Sequence, residues 1–286
     1  MDQYLVPEKA KKYLNHELIR QYTDLPDFPH YRTKLLYSFL SSKTGLKPNY
    51  SELYSLVTSL IQIGLDVHDM VDATEPGVSQ KQNRPIQLRV LAGDYFSSRF
   101  YQLLAQAGQV EWVKLLSAAI CEVNRLKMNF YMMVKHLRLS AEEYLRQIVQ
   151  IRSVLFMSFA DVMEGSYRKA WPEVLELFTR CELLSEELER VHHPGRFRQS
   201  WGYWYLLQVA SQEEQRIVRE SNLKAVEPLV SKYRISSHLC GMLDKHLKQL
   251  FSLINGFESD KLAEELRSLA EPFARVLGKS AVLEEI

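Results

Sequence analysis

His68, Asp69 and Asp72 stand at i, i+1 and i+4 in the stretch LDVHDMVD. On a helix, i and i+4 share a face and i+1 lies beside them. Carboxylates at that spacing can hold Mg²⁺ ions that bridge to a diphosphate, because Mg²⁺ takes hard oxygen ligands in near-octahedral geometry. His68 offers nitrogen where oxygen is wanted, so the set is incomplete. Asp66 adds charge three residues before Asp69, at the wrong spacing. Taken alone, two aspartates at a helix end read as an ordinary solvated terminus. The neighbouring residues make the chemical reading competitive. Lys81, Arg84 and Arg89 follow in a polar stretch, 77–89, read here as a basic loop. Arginine suits bidentate contact with a diphosphate. Then comes LAGDYFSSRF, where Ala92, Gly93 and Asp94 fall near a helix start and the small residues let two backbones approach.

The element that must deliver these carboxylates is the segment before them. Leu53, Leu56, Val57, Leu60, Ile61, Ile63 and Leu65 cannot share one stripe. A helix apolar all round is buried at the centre of a bundle. Its C-terminal end already carries partial negative charge, so clustering carboxylates there is unfavourable unless cations come. Elsewhere, apolar spacing and breakers predict helices over 8–22, 31–43, 50–74, 86–107, 111–137, 140–168, 172–191, 196–209, 211–222, 234–255 and 259–277. Ser140 with Glu143 forms a capping box, Ser51 and Ser259 are further candidate caps, and Pro172 suits a first helical turn. No strand-like alternation, repeat or low-complexity tract interrupts the pattern. The expected architecture is all-α, a single large helical bundle over 1–286.

Composition bounds the function. Thirty-six basic residues against 35 acidic ones leave a formal charge of +1, which gives no field favouring nucleic acid. Three scattered cysteines form no zinc motif and no disulfide framework, which fits a reducing compartment. The opening MDQYLVPEKAKKY lacks the apolar core of a signal peptide, and no apolar run approaches a membrane span. The expectation is a cytoplasmic protein, touching membranes only loosely through a lipid product.

An apolar helix, an acidic motif, a basic stretch and LAGDY, in that order, resemble the trans-isoprenyl diphosphate synthases. Members of that family read HDDxxD, then a loop with paired arginines, then LAGD. This chain reads VHDMVD, QNRP and LAGDY. YLRQIVQIRSVLF at 144–156 resembles the later family helix that carries a Lys-Thr pair, and LLSEELER at 183–190 falls where a second DDxxD is expected. The departures share a direction. His68 replaces an aspartate, the arginine pair shrinks to Arg84, Ile151 and Arg152 replace the Lys-Thr pair, and Glu186, Glu187 and Arg190 occupy the second motif. In the other register, Met70 and Ala73 take two of the aspartate positions.

Ionising an allylic diphosphate needs Mg²⁺ and cationic side chains on the leaving group. Losing several of these ligands together implies little turnover by this chain alone. The resemblance is nearest to the small subunits of bacterial two-component heptaprenyl diphosphate synthases. It implies no catalytic residue and no metal on this chain, and Mg²⁺ on a partner with intact DDxxD motifs. It also implies a heterodimer elongating farnesyl diphosphate with isopentenyl diphosphate toward a menaquinone side chain, with the prenyl chain in a shared tunnel. Self-association as a homodimer stays open. Ile63 and Gly64, one turn before the motif, sit where family members set chain length, and Gly64 would leave no floor. The competing view is that Gly64 allows tight helix packing. Leu88, Leu91, Tyr95 and Phe96 on one helix, and Leu115, Met128, Tyr131 and Met132 on the next, read as core; the family places its subunit interface on those helices. The aromatic run at 197–208 reads as core, with a prenyl tail or lipid as alternatives. The rival function is an autonomous Mg²⁺-dependent terpene synthase acting on a long prenyl diphosphate, holding the metal on Asp69 and Asp72 with Glu186 as a further candidate.

Overall fold

The computed structural model describes residues 4–42, 48–71, 80–191, 193–220 and 223–284. Among these residues every regular element is helical. The chain forms two compact units, one of Met1–Glu122 with Leu155–Arg168, the other of Val123–Val154 with Lys169–Ile286.

In the first unit, α1 (Val6–Leu14), α3 (His30–Ser42) and α5 (Gln80–Gln106) pack on α4 (Pro48–Asp69), and α2 (Glu17–Tyr22) packs on α5. The predicted burial of α4 holds on all sides: Tyr54, Val57, Leu60, Ile61, Ile63, Leu65 and Val67 are buried. Val6 and Ala10 of α1, Tyr37 of α3 and Ala92 and Phe96 of α5 close over Leu56, Leu60, Ile63 and Val67. The expected segment 8–22 is two helices, parted at Asn15 and His16. Ser51 is not a cap; α4 starts earlier and Ser51 is buried inside it. α5 starts at Gln80, so the expected basic loop is helical from that residue onward. Pro85 reads as a breaker, yet so near the helix start it forfeits a single backbone bond, and the helix continues through it.

α6 (Val110–Lys135), α7 (Ala141–Met157) and α8 (Gly165–Val191) follow. The expected helix 140–168 ends at Met157, with a 3-10 turn at Ala160–Val162 and Gly165 in the left-handed region at φ 57°. The capping box is present, with Glu143 N–H donating to Ser140 Oγ and Ser140 N–H to Glu143 Oε2, both at 3.1 Å. Pro172 lies inside α8 rather than in its first turn.

The second unit is completed by a 3-10 segment (Pro194–Gln199), α9 (Trp201–Val209), α10 (Gln212–Glu220), α11 (Leu223–Lys232), α12 (Ile235–Asn255) and α13 (Asp260–Glu284). α11 falls where the periodicity shows no element. α12 buries Ile235, Leu239, Leu243, Leu247, Leu250 and Ile254, an unbroken stripe at helical spacing, and packs on α13. Ser259 Oγ accepts from Leu262 N–H as expected of a cap.

Candidate functional site

The acidic end of α4 meets α5 at very short range. A Cβ on Gly64 would lie 2.8 Å from Ser97 Oγ and 3.0 Å from the Gly93 carbonyl. A Cβ on Gly93 would lie 2.6 Å from the His68 ring. Two glycines one per helix thus set the crossing, and no side chain fits at either without displacing a neighbour. Gly64 faces α5 backbone, the tight packing weighed against a tunnel role, and Ile63 is buried in the first unit's core. The close approach expected of Gly93 is found, in mid-helix rather than at a helix start.

With its ring lying on Gly93, His68 points Nε2 at Asp94 Oδ1, 3.4 Å away. Both side chains are substantially exposed, so the pair contributes at most about 1 kcal/mol. His68 is therefore turned to its own chain's LAGD aspartate. Arg89 Nη1 donates to the Met70 carbonyl at 3.1 Å, just beyond the last residue of α4. A fixed guanidinium so placed meets the negative end of the helix dipole. Asp66 accepts from Gln62 Nε2 at 2.7 Å, one turn back along α4. The buried Arg32 donates to Gln62 Oε1 at 3.4 Å and lies over the Phe156 ring, 5.4 Å from its centroid. Asp69 is the last residue of α4. Asp72 lies outside the described residues. Lys81 and Arg84 fall on the first turns of α5, and their side chains lie outside the described residues. Of the three cations singled out in the sequence, Arg89 is the one located, and it binds protein.

The second acidic position lies wholly within the second unit. Arg152 of α7 grips Glu186 of α8 with a two-pronged bond, Nη1 to Oε1 at 2.8 Å and Nη2 to Oε2 at 2.7 Å. Arg190 donates to Glu186 Oε2 and to Glu187 Oε1, each at 2.9 Å. Glu187 is fully buried and accepts from the Trp201 backbone N–H at 2.6 Å, which ties it to the start of α9. Tyr144 Oη lies 2.9 Å from Glu187 Oε1 and 2.6 Å from the Gln199 carbonyl. One hydroxyl proton cannot serve two acceptors. The Tyr144 proton therefore goes to one of the two, Glu187 Oε1 or the Gln199 carbonyl. Burial pushes the Glu187 carboxyl above its ordinary range, against the opposing Arg190 charge and the Trp201 and Tyr144 hydrogen bonds. Burial likewise holds the Tyr144 hydroxyl well above its usual value, with Glu187 adding to the effect.

This arrangement does not suit a divalent cation. Two guanidinium groups face at most two carboxylates, and both oxygens of Glu186 already accept charge-assisted bonds. At the first motif a nitrogen ligand is engaged by Asp94. Among the described residues no group of three His, Cys, Asp or Glu side chains is placed to hold a metal. The sequence pointed to Glu186, Glu187 and Arg190, and the structure brings them together. It missed Tyr144 and marked Arg152 only as a departure. Their partners lie 43 and 34 residues away, beyond any local pattern. The aromatic run is core: Phe197, Trp201, Tyr203 and Trp204 are buried, and Trp201 stacks on Tyr205. No described helix is long and apolar enough to cross a membrane.

Comparison with solved structures identifies the fold. Geranylgeranyl pyrophosphate synthetase from Pyrococcus horikoshii matches with a TM-score of 0.70 at 16% identity, covering 94% of both chains. Heptaprenyl diphosphate synthase from Staphylococcus aureus matches with a TM-score of 0.69 at 14% identity, covering 94% of this chain and 95% of that one. The fold is the all-α isoprenoid synthase fold. Heptaprenyl diphosphate synthase component 1 of Geobacillus stearothermophilus is 34% identical over 84 residues, 29% of this chain. The match spans 36% of that relative's length. The family model described as heptaprenyl diphosphate synthase (HEPPP synthase) subunit 1 matches residues 16–199, more than half of the chain. The chain belongs to the heptaprenyl diphosphate synthase subunit 1 family.

Proposed function

We propose that this chain is the non-catalytic subunit of a two-component heptaprenyl diphosphate synthase. It supports elongation of farnesyl diphosphate with isopentenyl diphosphate by a partner subunit whose intact DDxxD motifs carry Mg²⁺. The long prenyl product then serves as the menaquinone side chain. One observation carries the reading: the Glu186 carboxylate, which would be needed to hold a metal, is gripped by Arg152 and Arg190. Stabilising a departing diphosphate requires cationic charge that is available to the substrate. Here the guanidinium charge is spent on protein carboxylates. Ile63 and Gly64 are taken up by packing, so chain length is set on the partner's side of the complex rather than by these two residues.

The rival reading, an autonomous Mg²⁺-dependent terpene synthase, would hold Mg²⁺ on Asp69 and Asp72, with Glu186 as a further candidate ligand. Calorimetric titration of Mg²⁺ into this chain, with farnesyl diphosphate present, separates the two. The proposal predicts no saturable binding. A saturable site abolished by Asp69→Asn would establish the rival.

A further inference from the structure

Three residues of α5 set its register against the end of α4. Arg89, Gly93 and Ser97 stand four apart and share one face of the helix. Ser97 and the Gly93 carbonyl lie against Gly64, the His68 ring lies on Gly93, and Arg89 Nη1 donates to the Met70 carbonyl at 3.1 Å. The seam thus runs along the last turns of α4 to one residue past its end, and Arg89 closes it.

That end of α4 is short of positive charge. Its last turn holds Asp66 and Asp69, and its one basic residue, His68, is turned to Asp94. Carboxylates there add to the negative end of the helix dipole. Turn bonds close two of the terminal carbonyls: Val67 accepts from Met70 N–H and His68 from Val71 N–H, each at 3.1 Å. The next carbonyl out, that of Met70, is taken by Arg89. Arg89 is half-buried, and its Nε is buried with no partner among the described residues. A side chain of this length can carry its charge out to water. Enclosing the guanidinium with one donor unsatisfied is unfavourable, and a negative potential at the spot offsets that cost.

We propose that Arg89 is the resident cation of the first acidic motif, a positioning residue whose guanidinium takes the electrostatic place of a divalent metal at the end of α4. The groups at this end do not fit Mg²⁺, since a nitrogen stands among them and is engaged by Asp94. A guanidinium fits better. It is permanently charged, and here it is tethered to the helix that packs on α4, so the α4–α5 corner keeps its shape in metal-free solution. Arg89 is then no contact for a substrate diphosphate, because its charge faces its own chain. The inference concerns contacts within this chain and holds whichever subunit carries the chemistry.

The test is urea unfolding of the full chain and of two variants, Arg89→Met and Arg89→Lys, in EDTA and in millimolar Mg²⁺ at matched ionic strength. Methionine keeps an apolar stem without the charge, and lysine keeps the charge without the fork. The wild-type midpoint is expected to be the same in both solutions. Arg89→Met should unfold at lower urea and regain part of the loss in Mg²⁺, with Arg89→Lys between the two. A loss of packing alone would not respond to the metal. A wild-type midpoint raised by Mg²⁺ would overturn the inference, as would an Arg89→Met midpoint equal to the wild type or one lowered and unmoved by Mg²⁺. Equal losses in the two variants would overturn it as well, marking Arg89 as a hydrogen-bonding fork only. Should Arg89→Met not fold, Arg89→Lys decides: a folded variant supports the role of charge, and an unfolded one overturns it.

Discussion

Glu187, one of the residues at the expected second acidic motif, is held entirely by protein groups. Its carboxyl is buried, bonded to Tyr144, Arg190 and the Trp201 N–H, and pushed above its ordinary value of 4.5. The folded protein therefore binds this proton more tightly than the unfolded chain. Its contribution to stability is complete below the unfolded carboxyl range and is lost as pH rises through the folded value. Glu187→Gln keeps the shape and fixes the neutral state. Chemical denaturation across pH 4 to 8 should show the variant losing less stability than the wild type as pH rises. Arg152 plays the complementary part. Arg152→Ala leaves Glu186 with Arg190 alone and removes a two-pronged charge-assisted contact, which should cost about 2–3 kcal/mol by denaturant unfolding. Neither role is visible in sequence, since a glutamate gripped by a guanidinium and one awaiting a metal are the same letter.

The α4–α5 crossing carries its own predictions. Gly93→Ala places a methyl where the His68 ring lies, 2.6 Å away, and should destabilise by about 1–3 kcal/mol despite the gain in helix propensity. His68→Ala in the same chain removes the obstacle and should recover most of that loss, measured as a double-mutant cycle. Gly64→Ala offers no such rescue by His68→Ala, because its obstacles include the Gly93 carbonyl. Leu137→Gly should stabilise by about 1 kcal/mol in thermal or denaturant unfolding, by removing a Cβ from a left-handed position. At this scale the sequence was informative where a pattern is local. The buried α4, the Ser140–Glu143 box and the small residues of LAGDY each act over a few positions, and each is found. Pro85 misled because a proline's effect depends on how far into the helix it falls, and α11 was missed because Pro228 interrupts a short helix between polar neighbours.

For the whole molecule, the isoprenoid synthase fold stands with acidic motifs that depart from the family pattern. Identity of 14–16% with the solved synthases coexists with TM-scores near 0.70, as expected when core patterning fixes architecture and a handful of polar residues fix chemistry. At the second motif, Arg152 and Arg190 compensate the carboxylates they contact. The family was legible in the order of its motifs. The departures at the motifs were legible only as missing aspartates, and the structure adds the protein contacts that Glu186 and Glu187 make instead.

The most direct measurement is a prenyl-transfer assay with farnesyl diphosphate, isopentenyl diphosphate and Mg²⁺, run on this chain alone, on a DDxxD-bearing synthase subunit alone, and on the two mixed. The account predicts long-chain product from the mixture only. Turnover by this chain alone, or full long-chain synthesis by the other subunit without it, would contradict the account.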